Sequence, residues 1–325
     1  MGNEVMGPTS ERKVDEIVMV TDDIFRTLEN FRRVFRYSAW VIGTKDDTTE
    51  PGVRAGVGSF RWHEAAASLA NGFTLKIVEP VSGDTMYQKF LDRFGCGIMG
   101  LRERVKDERW EACLKHFEEK GIKAVQSSEQ EVWFDFLDPF GAMHGLVKDS
   151  APRAAQTSEI QHEICQVCIV TDDVERTARQ MTELLLMGPW EIGYTNNQTV
   201  TDMASSLIKA GSWPKSEFKP GIKVFGNLEF ELVQPVEGPI PYFDYLKRRT
   251  TGFHHMKEKI PDGKWEETLQ RFADLGVGTL LSGKIGPCGF SNLDTEELIG
   301  CVYELSDGAE MDKLPDGYNP YFCPA

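Results

Sequence analysis

Two of the six histidines stand side by side in Thr251-Gly252-Phe253-His254-His255-Met256-Lys257-Glu258-Lys259-Ile260, a run that reads as a β-strand. Imidazole is the side chain best suited to acid–base or metal chemistry near neutral pH. A strand sends alternate side chains to opposite faces, so His255, Lys257 and Lys259 share one face while His254 and Met256 share the other. Only one of the two imidazoles is then expected to face a given pocket. Cys165 and Cys168 have C-x-x-C spacing, but they fall in the strand-like run Ile164 to Val170. Residues three apart on a strand face opposite ways, so this spacing does not predict a shared metal. The seven cysteines, at 96, 113, 165, 168, 288, 301 and 323, are odd in number and scattered, and are expected to be reduced thiols.

The elements that must position these residues occur twice. Val20-Thr21-Asp22-Asp23 recurs as Val170-Thr171-Asp172-Asp173, each after an apolar strand-like run and before a helix-like segment, 24 to 35 and 174 to 186. Val78-Glu79-Pro80-Val81 matches Val233-Gln234-Pro235-Val236. Trp110-Glu111-x-x-Leu114-x-x-Phe117-x-x-x-Gly121 matches Trp265-Glu266-x-x-Leu269-x-x-Phe272-x-x-x-Gly276, an amphipathic helix with a glycine stop. The chain is a tandem duplication. Within each half the order strand, helix, three strands occurs twice, which predicts an α+β fold of four βαβββ modules. The expected boundaries are 1–150 and 158–312, joined by a Ser/Ala/Pro/Gln/Thr-rich linker over 149 to 161 and followed by an extended tail, 313–325. A curved sheet from one module meeting that of its neighbour leaves a cup, a natural place for a ligand.

Composition narrows the function. With 325 residues, 41% of them hydrophobic, the chain can bury a large core. No apolar run is long enough to span a bilayer, and residues 1 to 10 carry neither a signal-peptide pattern nor the myristoylation pattern, since Met6 stands where Ser or Thr is needed. A cytoplasmic protein with no membrane partner is expected. A formal charge of −15 and the absence of a basic patch argue against nucleic acid as a partner.

The order strand, Asp-containing turn, helix, Gly-x-His-His strand (Gly252 to His255) and final Val302-Tyr303-Glu304-Leu305 strand resembles the vicinal oxygen chelate superfamily, whose members include glyoxalases, methylmalonyl-CoA epimerases, extradiol dioxygenases and bleomycin resistance proteins. The resemblance runs from about Val14 to Asp312 and implies two tandem glyoxalase-like domains with cup-shaped mixed sheets. It also implies a metal site on the inner faces of the C-terminal cup at four positions: Gln166, Glu231, His255 and Glu304. The same four positions in the N-terminal half are Glu16, Lys76, Gly100 and Gly145, which cannot build a metal site. That half is expected to be metal-free and to pack against the C-terminal half or make a dimer. Independently of the resemblance, Glu231 in Leu228-Glu229-Phe230-Glu231-Leu232-Val233 and Glu304 in its apolar strand are polar groups on buried strands, and such groups need partners.

One imidazole, two carboxylates and one amide oxygen would leave two positions open on a six-coordinate divalent ion, whether Zn, Mn, Co, Ni or Fe(II). The resemblance then implies a metal-dependent isomerase or epimerase that abstracts a proton beside the carbonyl of an acyl thioester, hydroxyketone or keto-polyol. Glu304 would act as base and Glu231 as second acid/base, and Lys257 and Lys223 are candidates for binding an anionic group of this small-molecule substrate. Two alternatives remain: an extradiol-type ring-cleaving dioxygenase, which wants two histidines and one carboxylate where Gln166 replaces a histidine, and a non-catalytic binding or resistance protein using the cup for an apolar ligand.

Overall fold

The computed structural model describes residues 5–56, 58–153, 162–208, 213–309 and 318–324. Most of the expected linker and the start of the expected tail lie outside them. The chain forms two compact units, one of residues 1–162 with short pieces at 224–228 and 298–300, the other of residues 163–223, 229–297 and 301–325.

The first unit holds β1 (Lys13–Val20), β2 (Val41–Asp46), β3 (Arg54–Ala55), β4 (Arg61–Ser68), β5 (Thr74–Ser82), β6 (Gly97–Val105), β7 (Ala124–Ser127), β8 (Glu131–Phe136) and β9 (Ala142–Lys148). They form one mixed sheet in the order β2-β4-β5-β1-β6-β9-β8-β7-β3. The second unit holds β10 (Ile164–Val170), β11 (Trp190–Ile192), β12 (Thr195–Asn196), β13 (Val200–Ala204), β14 (Glu217–Val224), β15 (Glu229–Glu237), β16 (Gly252–Lys259), β17 (Thr279–Ile285), β18 (Cys288–Leu293), β19 (Val302–Ser306) and β20 (Tyr321–Cys323). Their order is β13-β17-β18-β19-β16-β10-β15-β14-β11-β20, with β12 on β14. In both units the first strand of each module lies parallel to the last strand of the same module, and the two first strands meet antiparallel at the centre. This is the expected α+β arrangement of four βαβββ modules in two curled mixed sheets.

The repeated sequences have structural causes. Asp23 and Asp173 cap the helices Ile24–Asn30 and Val174–Leu184, each accepting from the backbone N–H three residues on, at 2.9 Å. Thr21 and Thr171 lock the same turns through 2.8 Å hydroxyl contacts to Thr27 and Thr177. The helices Trp110–Glu119 and Trp265–Asp274 stop just before Gly121 and Gly276, whose φ values of +70° and +78° suit glycine. The repeat reading left out the helices Met86–Phe94 and Pro241–Arg249, which carry the chain from one module to the next in each unit. The end of the expected tail is also more regular than an extended tail: β20 pairs antiparallel with β11 at the sheet edge. No helix among the described residues is long and apolar enough to cross a membrane.

Candidate metal centre

Strand register brings the polar residues of the C-terminal cup together in two rows. On β10, Cys168 lies opposite Glu231 of β15 on one side and His255 of β16 on the other. Two residues earlier on the same face, Gln166 lies opposite Glu229 and Lys257, and Lys257 in turn opposite Glu304 of β19. All seven are on central strands of the sheet, so the positions of their backbones are fixed by ladders on both sides.

The side chains then converge. His255, fully buried, places Nε2 2.8 Å from Glu304 Oε2 and 3.3 Å from Glu231 Oε2. Nε2 nevertheless has no hydrogen-bond partner among the described residues, so these approaches lack the direction of N–H donation. Two donors each about 2.1 Å from one ion sit about 3.0–3.4 Å apart at right or tetrahedral angles. The 3.3 Å separation falls within that range and the 2.8 Å one just below it. Gln166 donates through Nε2 to Glu229, which leaves its Oε1 buried and without a partner among the described residues. A buried amide oxygen with nothing to accept is what a cation would satisfy. The donor types and spacing of Glu231, His255 and Glu304 thus suit a divalent ion, and Gln166 offers an amide oxygen from the neighbouring row of β10.

Lys257 Nζ lies 3.0 Å from the other Glu304 oxygen, Oε1. Burial works against its charge, but Glu304, then Glu231 and Glu229, outweigh it and hold the ammonium well above its usual pKa. Burial would lift the Glu304 carboxyl, yet Lys257 and His255 together bring it below its ordinary value. Burial also opposes protonation of His255, and Glu304 and Glu231 overcome it to raise the imidazole. The cup therefore gathers negative charge around one fixed cation and one imidazole.

Gln166, Glu229, Glu231, Lys257 and Glu304 line the floor of a cavity of about 460 Å³, whereas His255 and Cys168, fully buried, are not among its lining residues. Its walls include Phe218, Ile222, Tyr242, Phe290 and Tyr318. Tyr318 reaches it from the C-terminal segment and lies against Gly193, where a Cβ would stand 2.2 Å from the ring. Lys257 lines this cavity. Lys223, the other predicted anion-binding lysine, is not among its lining residues; its neighbour Ile222 is, as strand alternation on β14 requires.

Two further residues beside these ligands, Cys168 and Glu229, are not among the sequence-predicted ones. Cys168, fully buried, forms a compact potential ligand group with Glu231 and His255. Its C-x-x-C spacing drew attention to the pairing with Cys165 rather than to Cys168 alone. Burial, then Glu231 and Glu304, push its thiol well above the usual pKa, which keeps it neutral. Glu229 was legible by alternation, two residues before Glu231 on the same face. Burial raises its carboxyl as well.

The corresponding floor of the N-terminal cup is built differently. Lys76 Nζ lies 2.9 Å from Glu16 Oε1, and Arg102 reaches Asp15 at 2.6 Å and Glu131 at 2.5 Å. Trp133 fills the space over Gly145, where a Cβ would stand 2.7 Å from the indole.

The sequence matches no protein-family model and no curated protein. Among solved structures the chain is similar to a triple mutant of 4-hydroxymandelate synthase from Streptomyces coelicolor, with a TM-score of 0.60 and 12% identity over 93% of this chain and 94% of that one. It is also similar to a xylose isomerase-like TIM barrel/4-hydroxyphenylpyruvate dioxygenase fusion protein, with a TM-score of 0.50 and 12% identity over 92% of this chain. The match spans 49% of that fusion protein. At such identities the likeness speaks for the fold. With four βαβββ modules in two curled mixed sheets, the chain has the vicinal oxygen chelate fold.

Proposed function

We propose that the C-terminal cup is the active site of a divalent-metal isomerase or epimerase that moves a proton on carbon next to a carbonyl, in an acyl thioester, hydroxyketone or keto-polyol. The observation that carries this reading is the convergence of Glu231 and Glu304 on His255 Nε2. Gln166, Glu231, His255 and Glu304 would hold the ion. A divalent ion there supplies Lewis acidity toward a substrate oxygen. The remaining work falls to the chain: a carboxylate of the Glu231–Glu304 pair takes the proton from carbon and, as the acid, returns one. The exchange is redox-neutral and needs no further reactant. Lys257 keeps Glu304 anionic, and Phe218, Ile222, Tyr242 and Phe290 supply apolar walls for the substrate.

A second reading, an oxygenase, is favoured by the fold likeness to the synthase and the dioxygenase fusion protein. That chemistry uses two histidines and one carboxylate. His255 and Glu304 stand at two of the three positions and Gln166 at the third. At the level of fold the comparisons favour this reading, while the donor set favours the isomerase.

Elemental analysis of the purified protein beside His255→Ala tests the shared premise, with about one divalent ion per chain in the first and none in the second as the expected result. Deuterium incorporation from solvent into candidate ketones and thioesters, without oxygen uptake, then supports the isomerase. Oxygen uptake with Fe(II) and an aromatic substrate supports the oxygenase. If the protein retains no metal after incubation with Zn, Mn, Co, Ni or Fe(II), both enzyme readings fall and a non-catalytic binding protein replaces them.

A further inference from the structure

Alternation predicts that His254 and His255 face opposite ways, yet their rings meet: Nδ1 of one lies 3.0 Å from Nδ1 of the other, with ring planes at 80°. The cause is in the register of β16 against β10. His255 pairs with Cys168 and Phe253 with Ile169, so His254 is an extra residue with no partner across the ladder, a β-bulge. A bulge kinks the strand and re-aims the side chains beside it. The first unit has the same irregularity, where Gly100 pairs with Val18, Ile98 with Met19, and Met99 is the extra residue. The bulge is therefore part of the duplicated fold, whereas the imidazole on it occurs only in the second unit.

Two ring nitrogens at 3.0 Å share one proton, and its location matters. A ligating imidazole must present a lone pair at Nε2, so its Nδ1 carries the hydrogen and needs an acceptor. The nitrogen placed to accept is Nδ1 of His254, which must then carry its own hydrogen on Nε2. The His254 ring is buried and held edge-on by Tyr242 and Tyr245, with centroids 5.1 and 5.2 Å away. Tyr245 is itself anchored, its hydroxyl donating to the Phe253 carbonyl at 2.7 Å.

We propose that His254 is a positioning residue: through the bulge it accepts the Nδ1 hydrogen of His255 and so fixes the His255 Nε2 lone pair toward Glu231 and Glu304. This rests on the reading of the cup as a metal centre. The test has two arms. Metal affinity by chelator competition is measured for the wild type, His254→Phe and His254→Asn. The Phe ring fills the space without an acceptor and should weaken binding about 10- to 100-fold, while the Asn side chain, able to accept near the Nδ1 position, should recover most of it. Equal affinity in His254→Phe and wild type, or an Asn variant as weak as the Phe variant, overturns the proposal. The second arm is ¹⁵N NMR of histidine-labelled wild type with and without zinc, which needs no variant to fold. An unprotonated His254 Nδ1 is expected in both states, and a protonated one overturns the proposal. If the wild type binds no metal, the metal-centre reading fails on the first arm while the second still decides the tautomer.

Discussion

Glu304→Gln separates the structural from the ligating role of the cup carboxylates. Glu304 is 4% exposed, with Lys257 Nζ at 3.0 Å and His255 Nε2 at 2.8 Å. Removing one partner of a buried pair typically costs about 3–5 kcal/mol, because the other charge is left uncompensated. Here Glu231, 3.3 Å from His255, still offsets part of the stranded positive charge, and Lys257 is 18% exposed, so about 3 kcal/mol is expected. Urea titration at pH 7 in chelator should show it as a lower midpoint at unchanged slope. Although burial raises the Glu304 carboxyl, Lys257 and His255 bring it below its ordinary value. Its contribution is therefore complete above the unfolded carboxylate range and fades as pH falls below it, so the two proteins should converge in acid. Metal adds a second contrast. At 100 times its dissociation constant a ligand stabilises the wild type by about 2.7 kcal/mol, whereas the variant, lacking one ligand, should gain less than about 1 kcal/mol at the same concentration. Equal stabilisation of both by metal would refute Glu304 as a ligand, and equal stability of both in chelator would refute the ion-pair argument.

Glu103, clasped by Arg12 at 2.7 and 2.8 Å and by His144 at 3.2 Å, has its carboxyl brought to about 2 against the opposing effect of burial. A fall from an ordinary value near 4.5 is worth about 3 kcal/mol, present above pH 4.5 and lost toward pH 2; Glu103→Gln should flatten that part of a stability–pH curve, and an unchanged slope would count against the clasp. Gly145→Ala should destabilise by about 1–3 kcal/mol through overpacking, since its Cβ would stand 2.7 Å from Trp133, and a neutral thermal melt would show that the indole can yield. If Gln166 rather than Cys168 is the ligand from β10, the Co(II)-loaded protein should lack a thiolate charge-transfer band and Cys168→Ser should keep metal affinity within a few-fold. A near-ultraviolet band lost in Cys168→Ser would instead make Cys168, not Gln166, the ligand from β10.

The duplication was the most legible feature because its signals are local. Asp23 and Asp173 announce their helices by capping them, and Gly121 and Gly276 end theirs by taking positive φ, whatever surrounds them. Gln166, Glu231, His255 and Glu304 were picked out together only through the resemblance to the vicinal oxygen chelate superfamily, since alternation alone does not say which strands meet. What was not legible depends on a partner strand or on counting along it. One extra residue in β16 breaks the period of two, so the rule that assigned His254 to the far face fails there, and nothing in Gly-Phe-His-His announces a bulge. Lys257 could be placed on the face of His255 from sequence, but its capture by Glu304 required the parallel register of β16 and β19, set by residues 47 positions apart. The same dependence explains Lys223: on β14 the choice of face turns on a single residue of register, and Ile222 has the inner one. The chemistry of this cup is thus written in residue types, while its electrostatics, one ammonium held against carboxylates that would otherwise repel, is written in register. A substitution that shifts register by one residue on β16 should therefore abolish the site even with every functional side chain present.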